Sequence, residues 1–139
     1  MPKKIVSEFF TTSAGNEPVR DALISLGRPI KTVVGADILF VENNWRVDRP
    51  YVDQLRKGTG RFEESISEVR HAIEQQEYRT LFFVYGSRMI LVHFFMKKTQ
   101  KTPKKEIDVA WTRMKDWIRA QRAAELSIAK PSRLGGKKL

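Results

Sequence analysis

Two runs rich in aromatic and β-branched residues, Tyr78–Tyr85 and Met89–Met96, are separated by little more than Gly86-Ser87. Residues of this kind suit a pleated, half-buried surface. A two-residue connection with glycine in the first central position is a tight hairpin signal. A β-hairpin is therefore the element that most restricts the fold. An isolated hairpin is marginal in water, so the remaining segments must supply a face to cover it.

Helical segments are at hand. Over residues 16–26, Pro18 sits near a first helical position, Val19, Ala22, Leu23 and Leu26 form an apolar stripe, and Gly27 ends it. Residues 30–43 are ambiguous. Val34, Ile38 and Val41 keep helical spacing, while Val33, Val34 and Gly35 also suit a strand; helix is the preferred reading. Lys57 to Gly60 reads as a loop. From Phe62 to Ile73 the pattern supports two answers: Phe62, Ile66, Val69 and Ile73 fit a helix, and the alternation through Ser67, Val69, His71 and Ile73 fits a strand. Thr102 then reads as a cap before Pro103, opening a helix to about Ala124 with Ile107, Trp111, Met114 and Ile118 on its core face.

With 139 residues the chain suits one domain. The spans read as an N-terminal arm (1–15), a folded domain (16–124) and a basic tail (125–139). It contains no cysteine, which removes disulfides, thiol catalysis and cysteine zinc sites. MPKKIVSEFF has no signal-peptide core, and Leu81–Met96 is interrupted by Gly86, Ser87, Arg88 and His93. That stretch falls short of the roughly 20 apolar residues of a membrane helix. A cytoplasmic protein without membrane partners is expected.

Charge placement points to a partner. Residues 1–96 hold 13 Lys/Arg against 12 Asp/Glu, whereas residues 97–139 hold 13 against 4. Nearly all of the net +10 thus lies in the last third, as a polyanion-binding surface requires. A solvated charged face is the plain alternative.

The segment MKKTQKTPKKE, Met96 to Glu106, concentrates the signal: Lys97, Lys98, Lys101, Lys104 and Lys105 fall within nine residues where a strand meets a helix. Lys104 and Lys105 occupy a first turn, where the helix dipole disfavours cations. A bound anion would reverse that preference. Arg70 and Arg79 sit near the apposed ends of neighbouring strands, and His93 shares a strand face with Lys97. A core role remains open for His93, and His71 carries a weaker functional signal. Glu63-Glu64 reads as an exposed acidic pair. No phosphate loop, GxGxxG, GxSxG or HExxH motif occurs, and two histidines make no metal site, so no metal or cofactor is expected.

The runs Tyr78-Arg79-Thr80-Leu81-Phe82-Phe83 and Met89-Ile90-Leu91-Val92-His93-Phe94-Phe95, then KKTQKTPKKEIDVAWTRMKD, resemble the phage-derived HigB-like branch of the RelE/ParE toxin superfamily. Glu68-Val69-Arg70 is similar to its E-x-R strand, and Pro50-Tyr51-Val52 with Leu55 to the segment before it. The likeness covers roughly residues 16–122. Ser67 departs from the aromatic that usually precedes the triplet, and residues 58–66 look longer and more acidic than in the family.

This resemblance implies an α+β, RelE-like fold: two N-terminal helices packed on a twisted antiparallel sheet, with a C-terminal helix. It favours a strand around Ser67–Ile73. It further implies a toxin of a type II toxin–antitoxin pair, an mRNA endonuclease acting at the ribosome, with a cognate small helix-turn-helix antitoxin. The implied catalytic residues are Arg70, Arg79, His93 and Lys97, with Lys98 and Lys101 on RNA phosphate; Lys104 and Lys105 join them as phosphate-binding candidates from their place in the helix's first turn. ParE relatives share the fold yet act on gyrase, so a non-catalytic inhibitor is the alternative, as is a prophage relic retaining only antitoxin binding.

Overall fold

The computed structural model describes residues 2–57 and 65–129, and in it the hairpin is the centre of a five-stranded sheet. Strands β4 (Gln76–Tyr85) and β5 (Arg88–Lys97) pair antiparallel, turning at Gly86 with φ +63, a conformation glycine adopts without strain. Strand β3 (Ser65–Ile73) pairs antiparallel with β4, and β2 (Val52–Lys57) with β3. The strand reading of the ambiguous segment thus holds. Strand β1 (Val6–Phe9) lies on the far edge, parallel to β5, giving the order β1-β5-β4-β3-β2.

That first strand corrects the expected sheet, which is mixed rather than antiparallel. Residues 1–15, read as an arm, contribute an edge strand whose flanking Ile5 and Phe10 are buried. Glu42 anchors it. Its carboxylate accepts from the Ser7 N–H (2.7 Å) and pairs with Lys3 (3.0 Å), and its carbonyl accepts from Lys4 N (2.8 Å). Burial opposes the charge on Glu42, but these donors outweigh it and hold its pKa below the usual value.

Helices α1 (Pro18–Leu26) and α2 (Ile30–Asn44) cover one face of the sheet. Val19, Leu23, Val34, Ile38 and Val41 are buried there against Val69, Phe82, Met89 and Leu91. Leu26, expected in the α1 stripe, is exposed, and Ala22 packs against the core. Helix α3 (Lys104–Ala129) covers the opposite face: Ala110, Met114 and Ile118 bury Ile66, Leu81, Phe83, Ile90 and Val92. Both faces of the central parts of β4 and β5 are therefore buried. Burying a side chain of Leu or Phe size contributes about 1.5–3 kcal/mol, so this double coverage makes the hairpin the stability centre.

Helix α3 continues past the expected end at Ala124 to Ala129, and Glu125 accepts from the Tyr85 hydroxyl at 3.0 Å. Of the expected loop 57–60, Lys57 ends β2 and the rest lies outside the described residues. So do Phe62, Glu63, Glu64 and the tail sequence 130–139. No helix among the described residues is long and apolar enough to cross a membrane.

Candidate active site

Alternation along the strands decides which side chains meet. On β3, Ile66 packs under α3, so Glu68 and Arg70 project to that same face. On β4, Leu81 and Phe83 pack under α3, which places Glu77 and Arg79 beside them. The register pairs Arg70 directly with Arg79. Like charges in such a position repel, and a counter-ion is required.

Glu68 supplies it. Its side chain is 2 % exposed, with Oε2 at 3.5 Å from Arg70 Nε and Oε1 at 3.6 Å from Arg79 Nε. Neither contact is a hydrogen bond, and both Nε atoms are buried without an acceptor. The Thr102 hydroxyl donates to Glu68 Oε1 at 2.6 Å, so the residue expected as a helix cap ties the start of α3 to the arginine pair. Arg70 Nη2 donates to Asp53 Oδ2 of β2 (3.2 Å), and Asp53 also accepts from Arg49 (2.9 Å). Arg79 Nη2 donates to Glu77 Oε1 (2.7 Å), and Nη1 to the Tyr78 carbonyl (3.0 Å). Glu68 was named from sequence only within the E-x-R triplet and given no role, and Asp53 and Glu77 were not singled out. The counter-ion role of Glu68, like the involvement of the other two, needed the register.

A bulge brings the third strand in. The β4–β5 register shifts between Leu81 and Phe82, pairing Leu81 with His93 and Phe82 with Leu91. Val92 is the extra residue. Before it, odd positions Met89 and Leu91 face α1 and α2; after it, Phe94 does. His93, Phe95 and Lys97 are thereby turned toward α3, as bulges re-aim side chains elsewhere. Lys97 lies across the ladder from Glu77. The cations of Arg79, Lys97 and Arg70 hold the Glu77 pKa below the usual carboxylate range, the Arg79 hydrogen bond contributing most.

His93 is held at both ring nitrogens. Nε2 lies 2.9 Å from Glu106 Oε1, and Nδ1 lies 3.5 Å from Arg113 Nη1. Because a guanidinium can only donate, Nδ1 is the acceptor and Nε2 carries the proton toward Glu106. Burial lowers the ring's pKa; Glu106 opposes this and Arg113 adds to it. The neutral form is therefore favoured near neutral pH. Lys98, Lys101, Lys104 and Lys105 stand exposed on the strand-to-helix connection and the first turn of α3. Lys104 is countered by Asp108 at 2.8 Å, and Asp108 by Arg56 at 3.1 Å, which relieves part of the expected dipole conflict.

His71 lies on the other face. Its ring is buried, with Nδ1 at 2.7 Å from Asp37 and Nε2 at 2.7 Å from Thr80. It joins α2 to the sheet and takes no part in the cationic cluster.

A family model described as "Phage derived protein Gp49-like (DUF891)" matches residues 21–115, a span that includes every residue of this cluster. The chain belongs to that family. Among similar proteins are the "Probable endoribonuclease HigB1" of Mycobacterium tuberculosis strain CDC 1551 / Oshkosh and that of strain ATCC 25618 / H37Rv. Each is 40% identical over 55 residues, covering 40% of this chain and 44% of the relative. The chain thus matches less than half the length of these curated relatives. The phage-derived, HigB-like resemblance read from the sequence holds for this Gp49-like protein, whose edge strand β1 lies outside the matched span.

Proposed function

We propose that this Gp49-like chain is the toxin of a type II toxin–antitoxin pair and acts as a ribosome-dependent mRNA endonuclease. The observation that carries the reading is the cluster of Arg70, Arg79 and Lys97 on one sheet face, joined through Glu68 and Thr102 to the lysine-rich connection to α3. The matching relatives, named probable endoribonucleases, support it.

In this reaction the RNA 2′-oxygen attacks the adjacent phosphorus. A new 2′-O–P bond forms, the P–O5′ bond breaks, and negative charge builds on the phosphorane oxygens. Fixed cations stabilise that charge, and removing one such donor typically slows a reaction by about 10²–10³. Arg79 and Lys97 would hold the phosphate with Lys98, and Arg70 would support the transition state. Lys101, Lys104 and Lys105 would follow the flanking backbone. His93 would exchange a proton only after releasing Glu106 or Arg113, so it acts as a positioning residue in the closed arrangement and as acid or base in an opened one. The partner is a small antitoxin whose acidic or apolar segment covers this surface, and the site of action is the cytoplasm.

Mapping RNA 5′ ends after induced expression, with purified ribosomes in parallel, tests the reading. New in-frame cuts support it. The engagement of both His93 nitrogens favours a second reading, a non-catalytic inhibitor of gyrase or another macromolecule; DNA damage without RNA cuts would select it.

A further inference from the structure

The two arginines of the cationic cluster are already engaged by the protein's own carboxylates. Arg70 pairs with Glu68 and Asp53, Arg79 with Glu68 and Glu77, Asp53 is shared with Arg49, and Lys97 lies across the ladder from Glu77. Arg79 is the least accessible of the guanidiniums, its side chain 4 % exposed. An incoming phosphate can reach it only by replacing a carboxylate.

The three acids differ in freedom. Glu68 is buried and fixed by Thr102. Asp53, within β2, is bound by Arg49 just before that strand and by Arg70 of β3. Glu77 is 60 % exposed at the start of β4, two residues after the tight turn at Glu74 and Gln75, both with positive φ. Its carboxylate takes a 2.7 Å hydrogen bond from Arg79 Nη2 and lies across from Lys97. Rotation of its side chain toward solvent would uncover Arg79 without disturbing the sheet. Behind that guanidinium, Nε remains buried without an acceptor, so the group has unused donor capacity.

We infer that Glu77 is a displaceable latch, a carboxylate that holds the place of a phosphate on Arg79 until a polyanion drives it out. This deepens the proposed function and rests on it for the identity of the polyanion as RNA. A ligand that binds only the open form sees its affinity reduced by the open fraction. A single small anion that displaces Glu77 is held by little beyond Arg79. A strand that also engages Lys98, Lys101 and Lys105 is held at several points, so it overcomes the latch at a lower concentration than an isolated phosphate does.

The test compares wild type, Glu77→Gln and Asp116→Asn, the last removing an exposed α3 carboxylate paired with Arg119. Binding of a 2′-O-methyl single-stranded RNA, which cannot be cleaved, is followed by fluorescence anisotropy. Binding of inorganic pyrophosphate is followed by thermal stabilisation. Glu77→Gln should tighten RNA binding about three- to tenfold, as expected if roughly 70–90% of the unliganded protein is latched. Pyrophosphate, which reaches Arg79 in the open form alone, should gain by the same factor, since the open fraction belongs to the protein and not to the ligand. Asp116→Asn should change either by less than about twofold, the general effect of one exposed charge. Adding Arg79→Ala should abolish the gain. Equal gains in the two acid variants, or a gain that survives loss of Arg79, would overturn the latch. If wild type binds no RNA, the nuclease reading fails while the pyrophosphate arm still decides the latch.

Discussion

Arg70 and Arg79 are direct register partners on one face of the sheet, and Glu68 lies 3.5 Å from one guanidinium and 3.6 Å from the other. Two cations in opposed positions persist because a buried acid stands between them and because Thr102 fixes that acid from the start of α3. The arrangement joins the sheet, the helix and the charge cluster in a single network.

Removing the central acid should therefore destabilise the protein as well as the site. Glu68→Ala leaves the 4 %-exposed Arg79 facing Arg70 with only the more exposed Glu77 and Asp53 to compensate. Loss of one partner of a buried pair typically costs about 3–5 kcal/mol. Because the contacts here exceed hydrogen-bond length, the lower end is expected. Urea unfolding at unchanged m-value measures it; a shift below about 1 kcal/mol would mean that Glu68 is not the required counter-ion.

His93 sets a pH dependence. Its folded pKa is depressed, chiefly by burial, so the unfolded chain binds the proton more readily. Its contribution to stability is complete above the ordinary histidine value of about 6.5. It declines as pH falls below that value, until the folded ring is itself protonated. Glu106 and Arg113 face the ring; Glu77 and Asp108, their pKa values lowered by Arg79 and by Lys104, act in a more acidic range. Thermal unfolding of His93→Gln between about pH 7 and 5 should show a flatter profile than wild type.

The lysines of the connection should read out as salt dependence. Replacing Lys98 or Lys101, both exposed, should lower the slope of log K against log salt for single-stranded RNA by about 0.7 for each phosphate no longer neutralised. The double variant Lys97→Ala/Lys98→Ala should also abolish growth arrest while its far-ultraviolet circular dichroism stays unchanged. Retained arrest would remove these residues from the site.

The N-terminal strand should be structural. Glu42→Ala removes the acceptor of Ser7 N–H and the partner of Lys3, so amide exchange in residues 5–10 should accelerate selectively. Uniform acceleration across the sheet would instead place β1 within the global unfolding unit.

The hairpin, the α1 boundaries and the inner face of α3 were legible because each carries a local signal: Gly86-Ser87 at a turn, Pro18 and Gly27 at helix ends, and Met114 with Ile118 at helical spacing. Strand β1 was not. VSEF is four residues long, and its parallel partner is more than 80 residues away in sequence, a pairing that no local pattern encodes. The bulge at Val92 was equally hidden. MILVHFF is apolar on both faces, so a one-residue slip leaves no trace in the alternation.

By itself, then, the sequence determined that a hairpin would form, that helices would cover it, and that positive charge would gather where β5 meets α3. Local propensity and charge placement need no distant partner. Only the tertiary structure decided that Arg70 meets Arg79 in register, that Glu68 and Glu77 occupy their guanidiniums, and that His93 turns toward α3. Those relationships depend on strand register and on a single inserted residue, and both are set by the packing of two opposed cores rather than by any neighbour along the chain.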